Sequence, residues 1–471
     1  MKYALDRFAA EVVAALQATQ QVPDDLLDVQ VPKANIPADL SFPTFRAAKQ
    51  AGMKPTEFAA QVAALVQYAA DSLIGDVQVA GPYVNFCLQP DRFAAEVLQE
   101  ILQAGDTYGY DDTGTGKTIV VDYSSPNVAK RMHVGHIRST IIGQALVNMY
   151  RALGYRVIGD NHLGDWGKQF GVIIASIMRD GKPTAEGEEA LAQLEAQYTQ
   201  YNDEMQNDAA LDDEARRWSL RLEQGDEQAR ELWQWCVETT LEANQQNYDR
   251  LGVQFDHVYG ESFYESMLPA MIEQALERGV ARRDEDGSVV VADLEEKIPT
   301  FLLQRSDGGT LYITRDIATV AFRVETFQPD GIVYVVGAPQ ELHFRQLFAL
   351  ARAMGFAEKT ELMHVAFGSI FDTHGQTLST RRGNMVYLED LLNDAVARAR
   401  TILEEKKTDA SEEEKTEIAE VVGIGAVIYN DLYQPPQRNI TLDWERMLST
   451  EGNSATYLQY SHARCCSILR R

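Results

Sequence analysis

Thr118-Ile-Val-Val-Asp-Tyr123 is a short, β-branched apolar run of the length and composition of a buried strand. A polar turn, Ser124 to Arg131, follows it, and from His133 to Leu153 the apolar residues recur at helical spacing. Strand, loop and helix in that order form the building unit of a parallel sheet. Two later apolar runs, Arg156-Val-Ile-Gly159 and Gly331-Ile-Val-Tyr-Val-Val336, alternate with helical stretches. The pattern predicts an α/β fold with a doubly wound parallel sheet.

At 471 residues the chain is long enough for more than one core. Residues 1–110 read as a small α+β domain. It opens with a helix over Tyr3 to Ala18, whose Leu5, Phe8, Val12, Val13 and Leu16 share helical spacing, and it closes with a turn at Gly81 and a strand ending near Leu88. Residues 111–385 form the sheet domain. Within it, about 185–300 is expected to be a helical insertion, rich in Ala, Glu and Gln, with Trp218, Trp233 and Trp235. Residues 386–471 read as the start of an all-α domain. Ser411-Glu-Glu-Glu414 is a capping box, and a last helix is expected from near Ser454 to Leu469. The apolar face of that helix finds no partner in the sequence, so further chain is expected beyond Arg471.

No run approaches the roughly 18 apolar residues of a membrane span, and the N-terminus lacks a signal-peptide core, which predicts a cytoplasmic protein. Cys87, Cys236, Cys465 and Cys466 make neither a disulfide framework nor a paired zinc motif; reduced thiols and no zinc are expected. A formal charge of −27 argues against a nucleic-acid partner. Much of the acid, however, lies between Glu186 and Glu231, while Lys130, Arg131, Arg138, Arg381 and Arg382 cluster around the candidate site. Thr113-Gly-Thr-Gly-Lys-Thr118 imitates a phosphate-binding loop, but Asp111 stands where its first glycine belongs, and it precedes its strand instead of following it.

The chemistry-bearing segment is Asp122-Tyr-Ser-Ser-Pro-Asn-Val-Ala-Lys-Arg-Met-His-Val-Gly-His136. Its end falls where strand gives way to helix, so unpaired amides and the helix dipole favour an anion there. His133 and His136 could add donors toward phosphate oxygens, and Gly135 leaves room for a nucleotide. The alternative is a surface or metal-binding pair, although the spacing differs from the usual zinc HExxH. A second stretch, Thr377-Leu-Ser-Thr-Arg-Arg-Gly-Asn384, would supply a positive clamp for a triphosphate.

Together these stretches resemble the HIGH and KMSKS signatures of class I aminoacyl-tRNA synthetases. Ser124-Ser-Pro-Asn-Val-Ala-Lys130, Asn161-His-Leu-Gly-Asp-Trp-Gly167, Leu311-Tyr-Ile-Thr-Arg-Asp316, Gln340-Glu-Leu-His-Phe344 and Tyr457-Leu-Gln-Tyr460 narrow the resemblance to the arginyl family. That resemblance implies a Rossmann-like catalytic domain. It implies ATP, with Mg²⁺, as a substrate, and ligation of L-arginine to tRNA(Arg) through an arginyl-adenylate, by a monomer without a membrane partner. The arginine side chain would lie against Asp122, Tyr312 and Asp316, with Tyr312 inside a strand, and its backbone groups would meet Ser125, Asn127 and Gln340. A buried guanidinium needs such charged, directional acceptors.

For ATP, the resemblance implies His133, Gly135, His136, Ser379 and Arg382, with Gly337 and His343 at the adenosine. Thr377 and Thr380 stand where the family's clamp lysines are usual, and Lys130 is the implied compensating cation. Arg131 replaces a common proline and Lys168 a common threonine. Residues 1–110 would contact the tRNA elbow, while Tyr457, Gln459 and Tyr460 would contact tRNA; most of the anticodon bundle would lie beyond Arg471. Three other readings share parts of the pattern: another class I synthetase, although a cysteinyl type would want a zinc-ligand set and a glutamyl type a basic pocket in place of Asp122 and Asp316; an HxGH nucleotidyltransferase, usually much shorter; and a paralogue that binds arginine or tRNA without charging it.

Overall fold

The computed structural model describes residues 3–378, 386–406 and 409–470. It divides into two compact units, Met1–Tyr110 and Asp111–Arg471.

In the first unit the helix Ala4–Ala18 buries Phe8, Val12 and Leu16 against a three-stranded antiparallel sheet, in the order Leu40–Pro43, Tyr83–Leu88, Ile74–Ala80. Leu5 of the expected apolar set is exposed. The hairpin turns on Gly81 and Pro82, with Gly81 at φ +59°, a value that glycine accepts without cost.

The second unit is built on a four-stranded parallel sheet: Glu361–Phe367, Gly331–Gly337, Thr118–Asp122, Arg156–Asp160. Thr118–Asp122, Arg156–Asp160 and Gly331–Gly337 are mostly buried on both faces, which is why they read as continuous apolar runs, whereas the edge strand Glu361–Phe367 is largely half-buried. Ile119, Val121, Val333 and Val335 face one core, with Ile137 and Ile141 of the helix Val134–Ala152. Val120, Ile332 and Tyr334 face the other, with Ile313 and Ile317 of the helix Tyr312–Phe327. After Thr118–Asp122 the chain passes to one side, and Gly331–Gly337 returns on the other. Between the carboxyl ends of those two strands lies the switch point where such sheets bind ligands.

The insertion is helical over Gly187–Met205, Ala209–Glu223 and Glu227–Leu251, packed on Gln169–Asp180 through Phe170, Ile173, Leu191 and Trp218. It is not helical as far as residue 300. Beyond the helix Leu268–Glu277 an antiparallel sheet of Ala281–Arg283, Val289–Val291 and Phe301–Gln304 takes over. Strands of three or four residues are too short to show an alternation of their own; pairing across the turn at Gly287 is what makes them.

Past residue 386 come the helices Leu388–Glu405, Glu412–Leu432, capped reciprocally by Ser411 and Glu414, and Ala455–Leu469, capped by Ser454. Ile370–Phe371 pairs in parallel with Ile440–Thr441 and ties this helical region to the sheet side. Among the described residues no helix is long and apolar enough to cross a membrane.

Candidate active site

His133 caps the helix Val134–Ala152. Its Nδ1 accepts the Gly135 amide at 3.0 Å, and its own amide donates to His136 Nδ1 at 3.2 Å. With both Nδ1 atoms accepting, each neutral ring carries its proton on Nε2. Burial, and then the neighbouring His133, presses His136 down to about 3, and burial also lowers His133. The pair therefore offers neutral N–H donors at physiological pH.

The free amides expected at this helix end are taken. Val134 N donates to Val386 O at 3.0 Å, Gly135 N to His133, and His136 N to His133 O. An anion here meets imidazole donors and the space above Gly135. Gly135 and Gly337 face each other across a crevice of about 110 Å³ at the switch point, with Pro339, Phe367 and Ser369.

Arg138, expected among the cations near the site, also reaches this crevice but is 1 % exposed. It is spent on Asp431 at 3.1 Å and on the carbonyls of Gly368 and Arg438, both at 2.8 Å. Arg131 is likewise engaged: its Nε meets Glu195 at 2.9 Å and its guanidinium stacks on Tyr387. Lys130 lies over the Tyr198 ring at 5.5 Å. Ser379, Thr380, Arg381 and Arg382 fall outside the described residues.

A second, larger cleft of about 840 Å³ is lined by Asn127, Trp166, Glu261, Tyr312 and Arg315. Tyr312 does not lie in a strand; it begins the helix Tyr312–Phe327 and is 71 % exposed. One turn on, Asp316 Oδ2 sits 2.5 Å from His343 Nε2, which puts His343 beside the acid; it is not among the residues lining the crevice between Gly135 and Gly337. Gln340, in the turn after Gly331–Gly337, is exposed. Asn127 bridges to Gly164, whose missing side chain leaves its amide room: a Cβ there would lie 2.4 Å from Asn127 Oδ1.

Asp122 is not in the cleft. It is 5 % exposed, with Oδ2 at 2.7 Å from Arg323 and Oδ1 accepting from Ser125 Oγ at 3.1 Å. Each of its oxygens thus has a partner within the protein. Ser125 and Ser124 take φ of +50° and +72°, strain of the kind that a surrounding network sustains at functional sites. Ser124 N donates to Ser139 Oγ, and Ser125 N to Asn161 Oδ1.

Glu261 is the acid that sequence reasoning missed. Burial pushes its carboxyl up to about 7, against the pull of Arg315 and His162, while Asp316 adds to the rise. One Glu among 70 acidic residues carries no local signal. At the far end of the chain, Tyr457 and Tyr460 are exposed on their helix, but Gln459 Nε2 donates to Val421 O at 3.0 Å and serves helix packing.

Comparison with known proteins gives consistent results. The family described as "tRNA synthetases class I (R), catalytic domain" matches residues 97–444, and "Arginyl tRNA synthetase N terminal domain" matches residues 6–88. A protein of Chloroflexus aurantiacus named arginine–tRNA ligase is 64 % identical over 471 residues, which is 100 % of this chain and 82 % of that protein. One of the same name from Clostridioides difficile is 39 % identical, over 94 % of this chain and 77 % of its own length. Among solved structures, arginyl-tRNA synthetases of Plasmodium falciparum and Thermus thermophilus superpose with TM-scores of 0.78 and 0.74. They cover 99 % and 98 % of this chain, and the match covers 81 % and 82 % of theirs, each at 22 % identity, a likeness of fold.

Proposed function

The chain belongs to the arginyl-tRNA synthetase family, and on that premise we propose how its two clefts divide the ligation of arginine to tRNA between them. The reaction is an ATP-dependent ligation. The arginine carboxylate attacks the α-phosphorus of ATP and expels pyrophosphate; a ribose hydroxyl at the tRNA 3′ end, the 2′-OH, then attacks the adenylate carbonyl and releases AMP.

The nucleotide lies over Gly135 and Gly337 at the switch point. The Nε2–H groups of His133 and His136 bind oxygens on which charge develops, as neutral donors that cost no reorganisation. Mg²⁺ enters with the triphosphate as part of the substrate; among the described residues that line the crevice there is no carboxylate. Ser379 and Arg382 are assigned to the same triphosphate, and Lys130 swings to it from Tyr198.

The larger cleft takes the amino acid. Asp316 and Glu261 are the acids for the guanidinium, Tyr312 covers it, and Asn127, Ser125 and Gln340 hold its carboxylate and amine. The observation that carries this division is the pair of acids, Glu261 and Asp316, beside a cleft that also presents Asn127 and Tyr312. The cleft is also lined by Lys168, Arg230, Arg305 and Arg315, and of these Arg315 is paired internally with Glu265 and Glu261. Residues 1–110 meet the tRNA elbow, and Tyr457 and Tyr460 meet its body. The enzyme works as a cytoplasmic monomer, and sedimentation of the purified chain tests the monomer.

The decisive assay is amino-acid-dependent exchange of pyrophosphate into ATP, with arginine beside lysine, glutamate and cysteine, in the presence and absence of tRNA. Exchange with arginine alone among the four, and dependent on tRNA, is expected. Exchange with glutamate or cysteine, or arginine binding with no exchange in either condition, would overturn the proposal.

A further inference from the structure

Asp122 and Asp160 end neighbouring parallel strands as register partners, and both are buried. Two carboxylates so placed repel each other. Between them lies Arg323, fully buried, its Nη2 2.7 Å from Asp122 Oδ2 and 2.8 Å from Asp160 Oδ2. A buried triad of this kind is often no more stable than an apolar replacement of the same volume, so stability is a weak account of its presence.

What the triad connects is more informative. Through Asp122 Oδ1 it reaches Ser125, inside the left-handed turn that leads to Asn127. Arg323 itself belongs to the helix Tyr312–Phe327, seven residues beyond Asp316 and eleven beyond Tyr312, a spacing that keeps all three on one helical face. One guanidinium thus joins the strained loop on one side of the amino-acid cleft to the helix on the other.

We propose that Arg323 is a positioning residue for arginine recognition: through Asp122 it sets the separation between Ser125 and Asn127 on the loop and Tyr312 and Asp316 on the helix. The inference rests on reading those residues as the arginine cleft. The substrate guanidinium and the internal one are then held on the same helix face by different carboxylates. A small tilt of that helix moves Asp316 and Tyr312 away from a ligand whose other end is fixed by the loop.

The test is calorimetric titration of the full chain with arginine and, separately, with ATP, alongside thermal melting. Arg323→Lys keeps the charge but loses the planar fork. It is expected to weaken arginine binding by roughly 10- to 100-fold, the worth of one charge-assisted hydrogen bond, and to leave ATP binding unchanged. Asp122→Asn should reproduce that split, and the double variant should be no worse than the poorer single one, because both cut the same link. Asp160→Asn, which keeps the Arg323–Asp122 contact, should weaken arginine binding less.

A folded Arg323→Lys or Asp122→Asn protein with wild-type arginine affinity overturns the inference. So does parallel weakening of arginine and ATP, the mark of a purely structural role. Should Arg323→Lys fail to fold, Asp122→Asn decides on the same criteria. Asp316→Asn separates the two levels. If it too leaves arginine binding intact, the cleft assignment itself is wrong; if it alone weakens binding, the cleft stands and Arg323 has no part in it.

Discussion

Replacing Arg138 by methionine leaves Asp431 as a carboxylate 2 % exposed with its cation removed, and strips the Gly368 and Arg438 carbonyls of their shared donor. Breaking a buried ion pair from one side costs about 3–5 kcal/mol, because the surviving charge stays desolvated. Against a total stability of about 5–15 kcal/mol that is a large fraction. Burial raises the Asp431 carboxyl even with Arg138 in place, so without it the group protonates more readily and the deficit should shrink as pH falls. The companion variant Arg138→Met/Asp431→Leu removes both charges. It should recover most of the loss and retain about 1–3 kcal/mol for the two orphaned carbonyls. Urea unfolding of wild type, single and double variants at pH 7.5 and 5.5 measures all of this. A single variant within about 1 kcal/mol of wild type, or a double variant no better than the single, would refute the reasoning.

Three further outcomes are expected. The His136 imidazole is held near 3 in the fold against about 6.5 unfolded, so its contribution is fully present above about pH 6.5 and is lost as pH falls toward 3, at no more than ~1.4 kcal/mol per pH unit. His136→Asn should flatten that part of the stability–pH curve; an unchanged difference between the two proteins from pH 7 to pH 4 contradicts the assignment. With the Glu261 carboxyl near 7, arginine affinity should rise roughly tenfold from pH 6 to pH 8 as the acid ionises, and Glu261→Gln should abolish the trend in the same titrations. Asp316→Asn should weaken arginine roughly 10- to 100-fold without touching ATP. Equal losses for both ligands would remove Asp316 from the cleft.

Much was legible from local pattern. The strands Thr118–Asp122, Arg156–Asp160 and Gly331–Gly337 are continuous apolar runs because they are buried on both faces, and the caps at Ser411 and Ser454 act within three residues of themselves. Signals of that range are complete in the sequence, and so is the family resemblance carried by the motifs. The antiparallel sheet spanning residues 281–304 was not legible, since strands of three or four residues exist by pairing and not by periodicity.

The roles of charged groups at the site were set at longer range. Asp122 has the residue type and position of a substrate ligand, but an arginine 201 residues away in sequence claims it. Arg138 has the charge and position of a phosphate contact, but an aspartate 293 residues away buries it. Val386, arriving after the clamp segment, takes the helix amide that an anion was expected to meet. Periodicity and capping depend on neighbours along the chain, so they can be read from it. Whether a carboxylate faces a ligand or an internal cation depends on which distant side chain the packed core brings within about 3 Å, and folding alone decides that.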